Sequence, residues 1–330
     1  MVPPGFYPLV LTGPGGVGEG SIELRRRVEI VGEGETGAFI DATTLGAPAF
    51  TIVPRRDDDA RFTLANLTVF GAHDATLIGG AIDVRGGALR MLDMTVTGGL
   101  ADHGGGIAVA AGARLRLVDS LVIGNEAATS GGGIWNEGVL VAARSTVANN
   151  RASNGGGIWS GQGSATSLES STIAENTAAG EGGGLWLGAP AEIAATTVGD
   201  NEAATGGGVF ISPGSTGDVE AERSIVAANR AEGGGQCNGV LQSLGGNVDQ
   251  GHRCGFDSAS DLRDTDARLR RLGPNGGPTP TMPSRPGARR PTSPATAPGA
   301  IAPGATSEGR HAIVGATPAR MRWRAVSAGS

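Results

Sequence analysis

Three consecutive glycines followed by an aliphatic residue recur along the chain: Gly104-Gly105-Gly106-Ile107, Gly131-Gly132-Gly133-Ile134, Gly155-Gly156-Gly157-Ile158, Gly182-Gly183-Gly184-Leu185 and Gly206-Gly207-Gly208-Val209. A sixth triplet, Gly233-Gly234-Gly235, follows, and the spacings between first glycines are 27, 24, 27, 24 and 27 residues. Gly79-Gly80-Ala81-Ile82 is a fainter forerunner about one period earlier, which makes seven units. A unit this short cannot bury an apolar face alone, so the copies must stack and share one interior.

A second motif keeps step with the first. Val122-x-x-Asn125, Val147-x-x-Asn150, Ile173-x-x-Asn176, Val198-x-x-Asn201 and Val226-x-x-Asn229 are each preceded by a hydroxyl residue, Ser120, Ser145, Ser171, Thr196 or Ser224. Segments such as Ala113-Arg114-Leu115-Arg116-Leu117 alternate apolar and polar residues, and no helical period interrupts them. Each unit reads as roughly three short strands. Stacked in parallel, these strands predict an all-β fold, a right-handed parallel β-helix with coils of 24–27 residues. Equivalent residues then lie above one another at ~4.8 Å, so the Asn and Ser/Thr columns are expected to be hydrogen-bonded ladders. The glycines are expected to supply a bend that side chains would obstruct. A leucine-rich solenoid would need a Leu-x-x-Leu-x-Leu frame, which is missing.

Composition agrees with a turn-rich repeat. There are 59 glycines among 330 residues but no Gly-X-Y period for collagen, and 39% hydrophobic residues is too many for a simply disordered chain. The formal charge is −6, there is no lysine, and the 26 basic residues are scattered arginines, so no nucleic-acid partner is expected. No segment is apolar for long enough to span a bilayer. Met1-Val2-Pro3-Pro4-Gly5-Phe6-Tyr7 lacks the basic and apolar regions of an export signal. Triplet glycines beside Ser or Thr do not make a phosphate loop, because the lysine and the strand-to-helix context are absent.

These motifs resemble the Gly-Gly-Ala-Ile and Phe-x-x-Asn repeats of polymorphic outer-membrane proteins and, more broadly, the pectin-lyase-like superfamily, with aliphatic residues in place of Phe. Pro3 to Leu11 looks like the opening strand of such proteins; Val28-Glu29-Ile30-Val31-Gly32-Glu33-Gly34 with Ile40-Asp41-Ala42 looks like their first coil. From Ser224 onward the chain is similar to the choice-of-anchor Q module of bacterial surface β-helices. The matching runs are Ser243-Leu244-Gly245-Gly246-Asn247, Asp261-Leu262, Thr265-Asp266 and Asn275-Gly276-Gly277-Pro278-Thr279-Pro280-Thr281. The expected organisation is opening strands and first coils in 1–60, the repeat body in 61–235, a closing module in 236–281 and a disordered tail in 282–330. The resemblance implies export and display, with a start that lacks the related chains' upstream export sequence. After Thr281 the family-like sequence stops. A one-base shift of frame is compatible with its continuation, so residues 282–330 are expected to be an out-of-frame translation.

Some members of the superfamily cleave acidic polysaccharides with clustered Asp, Ca²⁺ and an arginine base, or with paired carboxylates. On that resemblance the candidate catalytic column is Asp93, Asp119 and Arg144, at equivalent places in three successive units, and only this reading implies Ca²⁺. The column continues as Ser170, Ala195 and Arg223, and a surface Asp–Arg ladder accounts for it without catalysis. Asp102 and His103, like Asp200-Asn201-Glu202, have no partner set in the sequence. None of the four histidines has metal-ligand spacing, so neither a metal nor a cofactor is expected.

An aromatic residue follows the aliphatic of the four triplets from Gly131 to Gly208: Trp135, Trp159, Trp186 and Phe210. If the aliphatic points inward, alternation turns the ring outward. Either the rings form a column on which sugars stack, or each lies over its neighbour and the adjacent loop and shields the backbone. Cys237 and Cys254 flank a glycine-containing loop and are expected to form a disulfide in an oxidising compartment; the alternative is two free thiols. Adding His252 gives too few ligands for a metal. The functional expectation is a monomeric, non-catalytic, exported bacterial β-helix. It would act as an adhesin-like scaffold that contacts a polysaccharide or a host or cell-surface ligand. The alternative is a polysaccharide lyase or glycoside hydrolase.

Overall fold

Stacking is what the glycine period demands, and the computed structural model shows how it is met. The structure describes residues 1–9, 20–35, 37–55, 60–233, 235–251 and 253–289, all within the unit Met1–Pro294; the second unit, Ala295–Ser330, lies outside the described residues. Three parallel sheets take one strand from nearly every coil. Sheet I has nine strands and runs through Ile107–Val109, Ile134–Asn136, Ile158–Ser160, Leu185–Leu187 and Val209–Ile211 to Cys237–Asn238. Sheet II, also of nine, runs through Ala88–Leu92, Arg114–Val118, Val139–Ala143, Ala165–Glu169, Ala191–Ala194 and Val219–Glu222 to Gln242–Gly245. Sheet III has ten strands, from Gly5–Pro8 to Val248–Asp249. From Leu100 onward a fourth strand per coil builds sheet IV, of six strands that begin with Leu100–His103 and Glu126–Ser130. The middle coils thus carry four strands where the sequence suggests three. No helix occurs among the described residues.

Strand alternation sorts the side chains. Leu115 and Leu117 are buried, while Arg114 and Arg116 between them are exposed. The aliphatic residue after each triplet forms one interior column, Ile82, Ile107, Ile134, Ile158, Leu185 and Val209, every member fully buried. Each such side chain contributes roughly 1.5–3 kcal/mol on leaving water.

The three glycines of a triplet are small for three different reasons. Gly155 sits at φ 61°, in the left-handed region. A Cβ on Gly156 would lie 2.5 Å from the Thr177 carbonyl oxygen and 2.6 Å from that of Gly183, in the next coil. A Cβ on Gly157 would meet the Gly184 carbonyl oxygen at 2.6 Å and the Asn176 amide nitrogen at 3.0 Å. The last triplet departs from this scheme. Val209 pairs with Cys237, so Gly235 stands opposite Gly207 and Gln236 takes the place of the third glycine.

At the C-terminal end the interior columns change character. Cys237 continues the aliphatic column and is bonded to Cys254; Asp249 follows Val226 in the valine column and accepts from the backbone N–H groups of Gly251 and Cys254. Phe256, fully buried, joins the same core. Beyond it the chain folds a hairpin onto the outer face of sheet III. Gly273 and Thr281 exchange backbone hydrogen bonds, Thr279 donates to the Arg144 carbonyl, and Thr146 donates to that of Pro280. Small outward residues, Ala148, Ala174 and Ala227, are buried there. Met282, buried as well, belongs to this hairpin, so the boundary drawn at Thr281 falls inside packed structure.

Candidate functional site

Asp93, Asp119 and Arg144 do form a column, and its common property is backbone conformation. Their φ angles are 49°, 51° and 49°, and Asn66, Ser170, Ala195 and Arg223 continue the series at 48–51°. Each is the single left-handed corner residue between sheets II and III. A non-glycine residue there costs roughly 1–2 kcal/mol, and the surrounding ladders hold the chain in place. Side-chain chemistry is free to vary at such a corner, and it does. Arg144 donates from Nε and Nη2 to the two carboxylate oxygens of Asp119, both at 2.7 Å. This fork holds the guanidinium still more firmly charged than usual.

The Asn ladder is continuous. In each rung the backbone N–H and the side-chain Nδ2 of one Asn donate to Oδ1 of the next, from Asn125 through Asn150, Asn176 and Asn201 to Asn229, at 2.9–3.0 Å. Gln236 closes it by accepting both donors of Asn229 on Oε1. The hydroxyl ladder runs beside it, the backbone N–H of each residue donating to the next hydroxyl from Ser120 through Ser145, Ser171 and Thr196 to Ser224. Asn247 closes that one by accepting from the Ser224 N–H at 2.9 Å, and Asp261 in turn accepts from the Asn247 N–H. Neither closing residue repeats, so a search for periodicity passes over both.

The aromatic column is a stack. Centroids of Trp135 and Trp159 are 6.0 Å apart, of Trp159 and Trp186 5.0 Å, and of Trp186 and Phe210 6.2 Å, with interplanar angles of 12–18°. Ring faces are therefore turned toward one another along the stack. A Cβ on Gly161 would strike the Trp159 ring at 2.6 Å and one on Gly188 the Trp186 ring at 2.9 Å, so each indole also lies against the turn after its strand. Trp186 Nε1 donates to Glu181 at 2.9 Å. His103 adds a fifth ring, 5.3 Å from Trp135; it lies on sheet IV, which hides the relation from a reading of the triplets. Asp102, its neighbour, accepts from the Thr129 hydroxyl.

Two shallow recesses lie near the C-terminal coils. One, of 340 Å³, is lined by Ile211, Asp218, Val240, Gln242 and Asp257 among others. The other, of 370 Å³, lies between the corner at Asp200 and the hairpin and gathers Asp200, Asp266, Arg268 and Arg285. Burial first, then the charge of Glu175, pushes the Asp200 carboxyl up, while Arg230 and Arg271 pull it back. Among the described residues no group of three or more His, Cys, Asp or Glu is placed to hold a metal ion; His252 lies outside them.

The disulfide Cys237–Cys254 spans 17 residues, with Cα atoms 5.0 Å apart and both cysteines buried. Among known proteins, the family model described as a right-handed β-helix region matches residues 80–249. No curated protein and no solved structure matches the chain.

Proposed function

Because the chain belongs to the right-handed β-helix family, we propose that it is a non-catalytic scaffold of an exported protein, displayed or released to present its outer faces to a polysaccharide or cell-surface ligand. The observation that carries this reading is the Arg144–Asp119 fork. An arginine acting as a base must give up its proton, and a bidentate carboxylate partner stabilises the protonated form. The disulfide supports an oxidising compartment. The likeness of residues 243–281 to the choice-of-anchor module supports display at a bacterial surface. Self-stacked rings support a structural role for Trp135, Trp159, Trp186 and Phe210, with their edges left for glycan contact.

A lyase or hydrolase is favoured by one specific observation, the recess in which a carboxyl with a raised pKa, Asp200, lies near several arginines. Incubation with pectate, alginate and a glycosaminoglycan, with and without Ca²⁺, separates the readings. The scaffold reading expects neither unsaturated products nor new reducing ends. Cleavage abolished by Asp200→Asn or Arg144→Ala would replace it with the enzymatic one. Glycan binding that survives Trp159→Ala and Trp186→Ala would remove the aromatic column from the contact surface.

A further inference from the structure

Sheet II carries charges that are sorted rather than mixed on its outer face. Its central outward column runs Glu29, Thr63, Arg90, Arg116, Val141, Ser167, Glu192, Glu220 and Gln242, each the Cα partner of the next, so that between an isolated Glu29 at the first strand and Gln242 at the last, two arginines are followed by two glutamates. Arg90, Arg116 and Glu192 are exposed and Glu220 partly so. Like charges on adjacent strands repel. Among the described residues none of these four forms an ion pair. The chain itself therefore leaves the basic half and the acidic half uncompensated.

We propose that this face binds a second copy of the chain, related by a two-fold axis that lies in the interface parallel to the strands. That operation reverses the stack and preserves the strand direction. It sets Arg90 opposite Glu220, Arg116 opposite Glu192, Val141 opposite Ser167 and Thr63 opposite Gln242, and it leaves Glu29 on the first strand beyond the overlap. An axis parallel to the stack would instead set Arg90 against Arg90 and Glu192 against Glu192. The charge order thus selects the antiparallel, isologous arrangement, with small and apolar residues where the axis crosses. Eight facing strands at ~4.8 Å and four to five residues at ~3.3 Å give a face of roughly 570 Å², or about 1,150 Å² counted on both copies, above the ~1,000 Å² that a specific interface must clear. The dimer takes the place of the monomer expected from sequence, and it does not depend on whether the protein is a scaffold or an enzyme.

Sedimentation equilibrium of the full chain tests it. The expected mass at low salt is twice the 32.8 kDa of one chain. It should fall toward the monomer near 1 M salt, where the screening length is ~3 Å. Arg90→Glu with Arg116→Glu makes all four facing positions acidic, and Glu192→Arg with Glu220→Arg makes all four basic; each variant alone should be monomeric. Mixed in equal amounts they should restore the dimer, since every facing pair is again opposite in sign. The proposal is overturned by a wild-type chain that stays monomeric at every salt and concentration, or by a dimer that survives both reversals. A monomer retained on an anionic polysaccharide resin through Arg90 and Arg116 would overturn it in favour of an acidic polymer. Should a variant fail to fold, the salt series of the wild-type chain decides.

Discussion

Asn229 donates twice to one oxygen of Gln236, from its backbone N–H at 2.9 Å and from its side-chain amide at 2.8 Å, while the amide's other hydrogen goes to the Val198 carbonyl. The ladder would otherwise end on a side chain with no acceptor ahead of it. Replacing Gln236 by Ala leaves two half-buried donors unmet and should lower the unfolding free energy by about 1–3 kcal/mol. Gln236→Glu keeps an acceptor and should cost less. Chemical denaturation of the two variants checks the order, and equal losses would mean that the side-chain oxygen contributes nothing.

Two glycines separate steric need from conformational need. Gly157→Ala drives a Cβ to 2.6 Å from a carbonyl oxygen of the next coil, which should cost about 1–3 kcal/mol or more. Gly163 has φ +82° and nothing within 4 Å of a built Cβ, so Gly163→Ala bears only the left-handed penalty of about 1–2 kcal/mol. A Gly163 variant less stable than the Gly157 variant would contradict this account of coil packing.

Reduction of the Cys237–Cys254 bridge releases a loop of 17 residues and should lower stability by about 3 kcal/mol. Amide exchange should quicken first in the strands that follow Ile225, while Ile107–Val109 keeps its protection. Uniform quickening along the chain would show that the last coil does not open by itself.

Asp83 is buried, and desolvation raises its carboxyl above the ordinary value of 3.8 although Arg85 draws it down. The folded chain then holds this proton more tightly than the unfolded one, so stability falls as pH rises from 3.8 through the raised value. Asp83→Asn has no proton to lose. Its melting temperature relative to the wild type should rise from strongly acidic to neutral buffer, and a difference that stays constant with pH would refute the assignment.

The ladders were readable from sequence because stacking demands the same side chain at the same place in every coil, as at Asn125 through Asn229. The corner column was readable as a column, but its meaning was not: Asp93, Ser170, Ala195 and Arg223 share a φ angle, which leaves no chemical signature. Gln236 and Asn247 act once each and repeat nothing. The small residues Ala148 and Ala174 make sense only under a hairpin that begins about 100 residues later, a long-range relation of the kind local pattern does not carry.

The rungs of the Asn ladder join residues 25, 26, 25 and 28 apart, yet their partners and geometry never change. Turns absorb the difference. The protein's length is therefore quantised: excising residues 151–176 would hand Asn150 the acceptor of Asn176 and leave both ladder ends as they are, whereas removing half as many would strand a donor in every column. The ladders thus permit the stack to gain or lose whole coils with the same two closing residues.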